Sequence, residues 1–214
     1  MTNKDAVEIV GGLSAPSKMP CFGYSISAFL CKTGGKLREV AGSVCSKCYA
    51  LKGFYRFDNT AKALRKRAEK INDPRWVEAM THLLTHRLHL KKKDKSYFRW
   101  HDSGDIQSVE HLEKIIAVVK ATPQVNHWLP TREIGFLQVY KLRHGAFPDN
   151  ITIRLSGMKI DGPAPKSAAK NLGVLTSTVS TGDFNCPASL QDNECKDCRL
   201  CWDRNTENVA YHAH

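Results

Sequence analysis

From Tyr97 onward, short apolar runs alternate with stretches of helical period. Tyr97-Phe-Arg-Trp-His101 reads as a strand and residues 109–120 as a helix that Ser108 can cap. Val125-Asn-His-Trp-Leu129 is the next strand, and a helix follows over 133–143. Ile151-Thr-Ile-Arg-Leu155 is another strand, then come a Pro/Gly-rich turn, a short helix at 166–171 and a strand over 173–179. Upstream, Gly23-Tyr-Ser-Ile-Ser-Ala28 alternates as a short strand. Residues 1–22, with Gly11, Gly12, Pro16 and Pro20, read as an irregular lead-in, and residues 30–53 as a loop. Helices are predicted over 59–71 and from Asp73-Pro74 onward, where Trp76, Met80, Leu83 and Leu84 share one face. Strands alternating with helices predict a parallel sheet joined by right-handed crossovers. The expected class is therefore α/β: a barrel-like parallel sheet, closed or incomplete, with helices outside and a Cys-rich C-terminal segment that binds metal.

The chain has 214 residues, 42% of them hydrophobic and 25% charged, which suits one globular domain over 1–214. No apolar run approaches the roughly 20 residues of a bilayer span, so no membrane partner is expected. Met1-Thr-Asn-Lys-Asp-Ala-Val7 lacks the apolar core of a signal peptide, which predicts a cytoplasmic protein with reduced thiols. The formal charge is +11. A cube held by four thiolates nets about −2, so one such site leaves about +9 and two leave about +7. The chain stays basic, and Arg65-Lys66-Arg67 with Lys91-Lys92-Lys93 form candidate contacts for nucleic acid. His82, His86 and His89 lie opposite the apolar face of their helix and read as a wet basic face rather than as metal ligands.

The chain carries eight cysteines. Cys186, Cys195, Cys198 and Cys201 fall within sixteen residues, a Cys-Pro step followed by C-x2-C-x2-C and Trp202. That spacing is the ferredoxin-like way of wrapping backbone around a [4Fe–4S] cube. Zinc sites more often pair two C-x2-C knuckles across a longer loop, so zinc is the alternative metal. Trp202 is expected to cover the metal and exclude water. Cys31, Cys45 and Cys48 follow the first predicted strand, and the last pair is C-x2-C followed by Tyr49. This is similar to how radical S-adenosylmethionine enzymes hold a cluster with one open iron, although C-x13-C-x2-C departs from their usual C-x3-C-x2-C. A second cluster, a shared or zinc site, and plain thiols all stay open for these three. Cys21 has no assigned role.

The ends of the predicted strands are polar: His101-Asp102-Ser103-Gly104-Asp105, Thr131-Arg132-Glu133, Ser156-Gly157, and the Ser/Thr steps over 177–183. In parallel α/β folds ligands bind at the carboxyl ends of strands, where loops converge and helix N-termini offer free N–H groups. Ser177 and Thr178 read as turn chemistry. His101, Asp102, Ser103, Gly104 and Asp105 join a titratable ring, two carboxylates and a permissive glycine in one loop, and are the candidate cofactor-binding residues.

Gly42-Ser-Val-Cys-Ser-Lys-Cys-Tyr-Ala-Leu-Lys-Gly53, Phe98-Arg-Trp-His-Asp-Ser-Gly-Asp105 and the Cys186–Trp202 segment together resemble the phage "gene product 88" domain family. The resemblance implies a bacteriophage protein working in host cytoplasm and a Cys-rich metal site; it implies no settled activity. Three functions compete. The first is a [4Fe–4S] protein whose cluster is structural or transfers electrons. The second is an enzyme of radical type, in which Cys31, Cys45 and Cys48 hold an open cluster and residues 101–105 meet S-adenosylmethionine. The third is a zinc-held nucleic-acid-binding module.

Overall fold

The computed structural model describes residues 1–86 and 93–213. Six strands form one all-parallel sheet in sequence order: β1 (Phe22–Tyr24), β2 (Tyr97–Trp100), β3 (Asn126–Thr131), β4 (Ile151–Ile160), β5 (Leu175–Ser180) and β6 (Asn208–His212). Sequential order has a consequence. Successive right-handed crossovers land on the same face, so helices cover one side of the sheet and leave the other for something else.

The alternation along β4 shows both sides. Ile151, Ile153 and Leu155 join the main core, together with Leu112, Ile115 and Val119 of α5 (Val109–Ala121), Leu137 and Tyr140 of α6 (Ile134–His144), and Leu172 of α7 (Lys166–Leu172). Thr152 and Arg154 point the other way, where a second core holds Cys21, Trp128, Cys201, Trp202 and Val209. The connection from β5 to β6 is the Cys-rich segment, which covers this second face.

On the helix side, Tyr24 ties the first half together. Its hydroxyl lies 2.8 Å from the carbonyls of both Val10 and Arg67 and accepts the Trp76 indole N–H at 3.1 Å. These contacts join β1 to α1 (Asn3–Val10), α3 (Asp58–Lys70) and α4 (Trp76–Thr85). A second buried relay runs from Trp100 Nε1 to His127 Nδ1 at 3.2 Å, from the other His127 nitrogen to Thr122 Oγ1 at 2.9 Å, and on to the Val118 carbonyl at 2.8 Å. Every polar atom in that chain finds a partner, which lets a histidine sit in an apolar layer at little cost.

The lead-in differs from the sequence expectation. Thr2 and Asp5 form a reciprocal capping box, and Ala6, Ile9 and Val10 bury one face, so residues 3–10 are helical. Within the expected loop after β1, residues 32–37 form the short helix α2 (Lys32–Leu37) and 3-10 turns fill much of 44–56. α4 starts at Trp76 rather than at Asp73, whose carboxylate instead accepts from the Arg75 N–H. The sixth strand was not expected. Asn208–His212 carries only a weak apolar pattern and is held by pairing with β5. Trp76, Met80, Leu83 and Leu84 are buried as predicted. The His82 and His86 rings lie 4.7 Å apart, tilted by 47°, with His82 bonded to Asn3, while His89 lies outside the described residues. No described helix is long and apolar enough to cross a membrane.

Candidate functional site

Seven of the cysteines fall in two groups, one on the loop after β1 and one on the connection from β5 to β6 over the inner face of the sheet, and no disulfide joins any of the eight. The first group lies beyond the carboxyl end of β1, on a loop that wraps over neighbouring strand ends. Glu133, just past β3, accepts from both the backbone N–H and the hydroxyl of Thr33 at 2.8 Å, which fixes the turn following Cys31. Ser43 bridges to Lys159 of β4, and the Ile160 N–H donates to the Gly42 carbonyl at 3.0 Å, which places Cys45. Past β2, Asp102 accepts from two tyrosines: Tyr49 reaches its carbonyl, and Tyr55 its carboxylate at 2.8 Å. These bonds place Cys48.

Gly34 shows how close the thiols come. A methyl group there would lie 3.4 Å from Cys45 Sγ and 3.8 Å from Cys31 Sγ. Burial pushes the Cys31 thiol up to about 12, helped by the charges of Asp105, Cys48 and Cys45. Burial likewise raises Cys45, where Cys48 and Asp105 add to the effect and Arg132 and Arg38 oppose it. Packed thiolates repel one another in a dry site, so they need a cation to ionise together.

The second group lies toward the amino ends of the strands. The Cys195 N–H donates to the Lys18 carbonyl at 3.1 Å, Arg199 pairs with Asp94 at 3.3 Å, and Arg204 pairs with Asp149 at 2.9 Å; all three acceptors precede strands. Trp202 donates to the Phe98 carbonyl at 3.1 Å and packs edge-on against Tyr97 and Trp128. Burial raises Cys186 and Cys195 and pushes Cys201 up to about 12, with the charges of these cysteines adding to one another's shifts. Arg154 holds the backbone around them. Its five N–H donors all end on carbonyls, those of Leu200, Cys201, Asp203, Thr206 and Thr176, at 2.7–3.1 Å.

Arg99 sits on the inner face between the two groups, its guanidinium 4.4 Å from the centre of the Trp128 ring. Burial disfavours its charge, but Tyr49, Asp102, Tyr211 and Cys201 outweigh that and hold its pKa above the ordinary value. Arg99 Nε, Trp128 Nε1 and Arg199 Nε are buried with no hydrogen-bond partner among the described residues. Orphaned N–H donors beside four thiols are what an anionic cluster, with its sulfur acceptors, would satisfy. The four-cysteine group thus offers donors that an anionic cluster would use; among the described residues the three-cysteine group shows no such unpartnered N–H. Among the described residues no three His, Cys, Asp or Glu side chains are placed to hold a single metal ion.

A family model described as Gene product 88 matches residues 2–204. The chain belongs to the gene product 88 family. No curated protein and no solved structure matches it.

In this gene product 88 chain the loop expected to bind a cofactor serves the scaffold in large part. Ser103 donates to the Ile26 carbonyl at 2.9 Å, and Gly104, at φ 82°, lies against Ile26. Asp105 accepts from the Thr131 hydroxyl at 2.6 Å and from the backbone N–H groups of Ile106 and Arg132. His101, at φ 57°, packs edge-on against His111 of α5, and burial lowers its pKa to about 3. Both of its ring nitrogens and Asp102 Oδ1 are buried without hydrogen-bond partners among the described residues. Ser177 and Thr178 lie within β5 rather than in a turn, and Ser177 pairs with Ser156 of β4 at 3.1 Å. Cys21 is fully buried in the second core. The expected basic runs are partly internal. Arg67 is buried on the carbonyls of Gly12 and Ser25, and Lys93 donates to those of Pro16, Ser17 and Met19; Lys91 and Lys92 lie outside the described residues. Sequence reasoning missed Glu133, Tyr55, Arg99 and Arg154 as organisers, since each acts across more than thirty residues of chain.

Proposed function

We propose that this protein is an iron–sulfur enzyme that cleaves S-adenosylmethionine at Cys31, Cys45 and Cys48, with a separate closed cluster on Cys186, Cys195, Cys198 and Cys201. One observation carries this reading. Three cysteines, not four, lie on the loop past the carboxyl end of the first strand of an open parallel sheet, while the four of the other Cys-rich segment lie on the separate connection from β5 to β6. A cluster held by three thiolates supplies an iron with a vacant position, which can bind the cofactor and pass it an electron.

The chain's own residues prepare that position. Glu133 and Asp102 anchor the cysteine loop on two strand ends, so the three thiols need only a local rearrangement of that loop to converge on a cluster. Arg38 and Arg132 offset part of the thiolate charge at Cys45. The closed set, its backbone clamped by Arg154, serves structure or electron transfer. Both need the reducing conditions of a host cytoplasm.

Protein purified without oxygen should carry about eight irons and eight sulfides per chain and consume S-adenosylmethionine when given a reductant. Full iron with no consumption, and no spectral change on adding the cofactor, would leave the structural or electron-transferring reading in its place. Zinc alone would overturn both.

A further inference from the structure

The loop that carries Cys31, Cys45 and Cys48 has an outer surface that its thiols do not explain. Four aromatic rings stand out from it: Phe29 is 68% exposed, Phe54 78%, Phe57 59% and Tyr49 47%. The Tyr49 hydroxyl is turned inward to Asp102 while its ring edge faces solvent. Phe54 and Phe57 pack edge-on at 5.1 Å, and Arg38 lies over the Phe29 ring at 5.5 Å. Solvent-facing phenyl rings clustered on one segment mark a binding surface rather than chance exposure.

Charge says what it binds. Residues 28–57 contain six basic side chains, Lys32, Lys36, Arg38, Lys47, Lys52 and Arg56, against the single acid Glu39. Among the described residues none of the six enters an ion pair. Helix α3 follows directly and adds exposed Lys62, Arg65 and Lys66. Protein interfaces are depleted in lysine, so a lysine-rich aromatic patch is a poor match for a protein partner. A membrane-surface segment is an amphipathic helix with one apolar face, whereas these rings stand on short 3-10 turns with cations between them in the chain. Rings interleaved with unpaired cations match the needs of an unpaired strand, whose bases stack on aromatics while its phosphates meet lysine and arginine.

We infer that the outer face of residues 28–57 binds single-stranded nucleic acid through Phe29, Phe54, Phe57, Lys52 and Arg56, on the same loop that carries Cys31, Cys45 and Cys48. The inference stands whichever group the thiols hold.

The test is fluorescence anisotropy with a labelled single-stranded oligonucleotide, as RNA and as DNA, with the matching duplex and anionic phospholipid vesicles as separate arms. Wild-type protein should bind single strands over duplex, with affinity falling as salt rises. The K52A/R56A variant should reduce the log–log salt slope by about 1.4, the share of two phosphate contacts on a single strand. Phe54→Ala should weaken binding by about fivefold or more at fixed salt. These side chains are exposed, so circular dichroism should be unchanged, and iron content measured on the same samples separates loss of the strand from loss of the cluster. Equal binding by wild type and variants, preference for duplex, or binding to vesicles alone would overturn the inference.

Discussion

Arg154 Nε donates to the Cys201 carbonyl at 3.0 Å, and the same guanidinium reaches four further carbonyls without meeting a carboxylate. A buried cation bonded only to backbone acts as a template: it fixes the path of the chain on which Cys198 and Cys201 sit. Burial lowers its pKa, yet the five carbonyls consume every donor it has.

Arg154→Met should therefore cost far more than one hydrogen bond, because it strands several buried carbonyls at once. We expect a loss of about 3–5 kcal/mol in urea unfolding and a C-terminal segment open to protease. Arg154→Lys should recover little, since three donors cannot replace five in a planar fork.

Arg99 supplies the charge nearest the four-cysteine group from the sheet side. With Arg99→Gln, a site holding an anionic cluster should weaken by about 1.5–3 kcal/mol, the worth of a hydrogen bond to a charged group. Iron retained after desalting should fall. Unchanged iron would remove Arg99 from the account of that site.

Two glycines near the first thiol group should respond in opposite ways. At Gly104, φ is 82° and an added methyl would lie 2.4 Å from the Ile26 side chain, so Gly104→Ala should destabilise the fold by about 2 kcal/mol or more. Gly34 has no positive φ and belongs to α2, where alanine is favoured. Gly34→Ala should leave the melting temperature near wild type yet crowd Cys31 and Cys45, and half the iron should be lost.

Thr122→Val keeps the volume but removes the acceptor for the His127 ring nitrogen. The stranded buried donor should cost about 1–3 kcal/mol, measured by chemical denaturation, with iron content unaffected.

Much of the architecture could be read along the chain, because period and end signals are local. The parallel α/β class, the strands at β2 to β5, the helices α3, α5, α6 and α7, and the Ser108 cap all come from side chains within a few residues of one another. The α1 capping box was present in Thr2 and Asp5 but was outweighed by the nearby glycines and prolines. β6 left almost no trace, since a strand held by its neighbour needs little apolar pattern of its own.

The cysteine spacing by itself determined that two thiol-rich segments exist, one of three residues and one of four. Folding alone put one of them past the carboxyl end of β1 and the other over the inner face of the sheet, with Glu133, Asp102, Arg99 and Arg154 as their supports. The reason is physical. Spacing is fixed by covalent geometry along one segment, whereas a buried charge is placed by carbonyls and rings that folding brings from distant parts of the chain. No short stretch of sequence encodes that meeting.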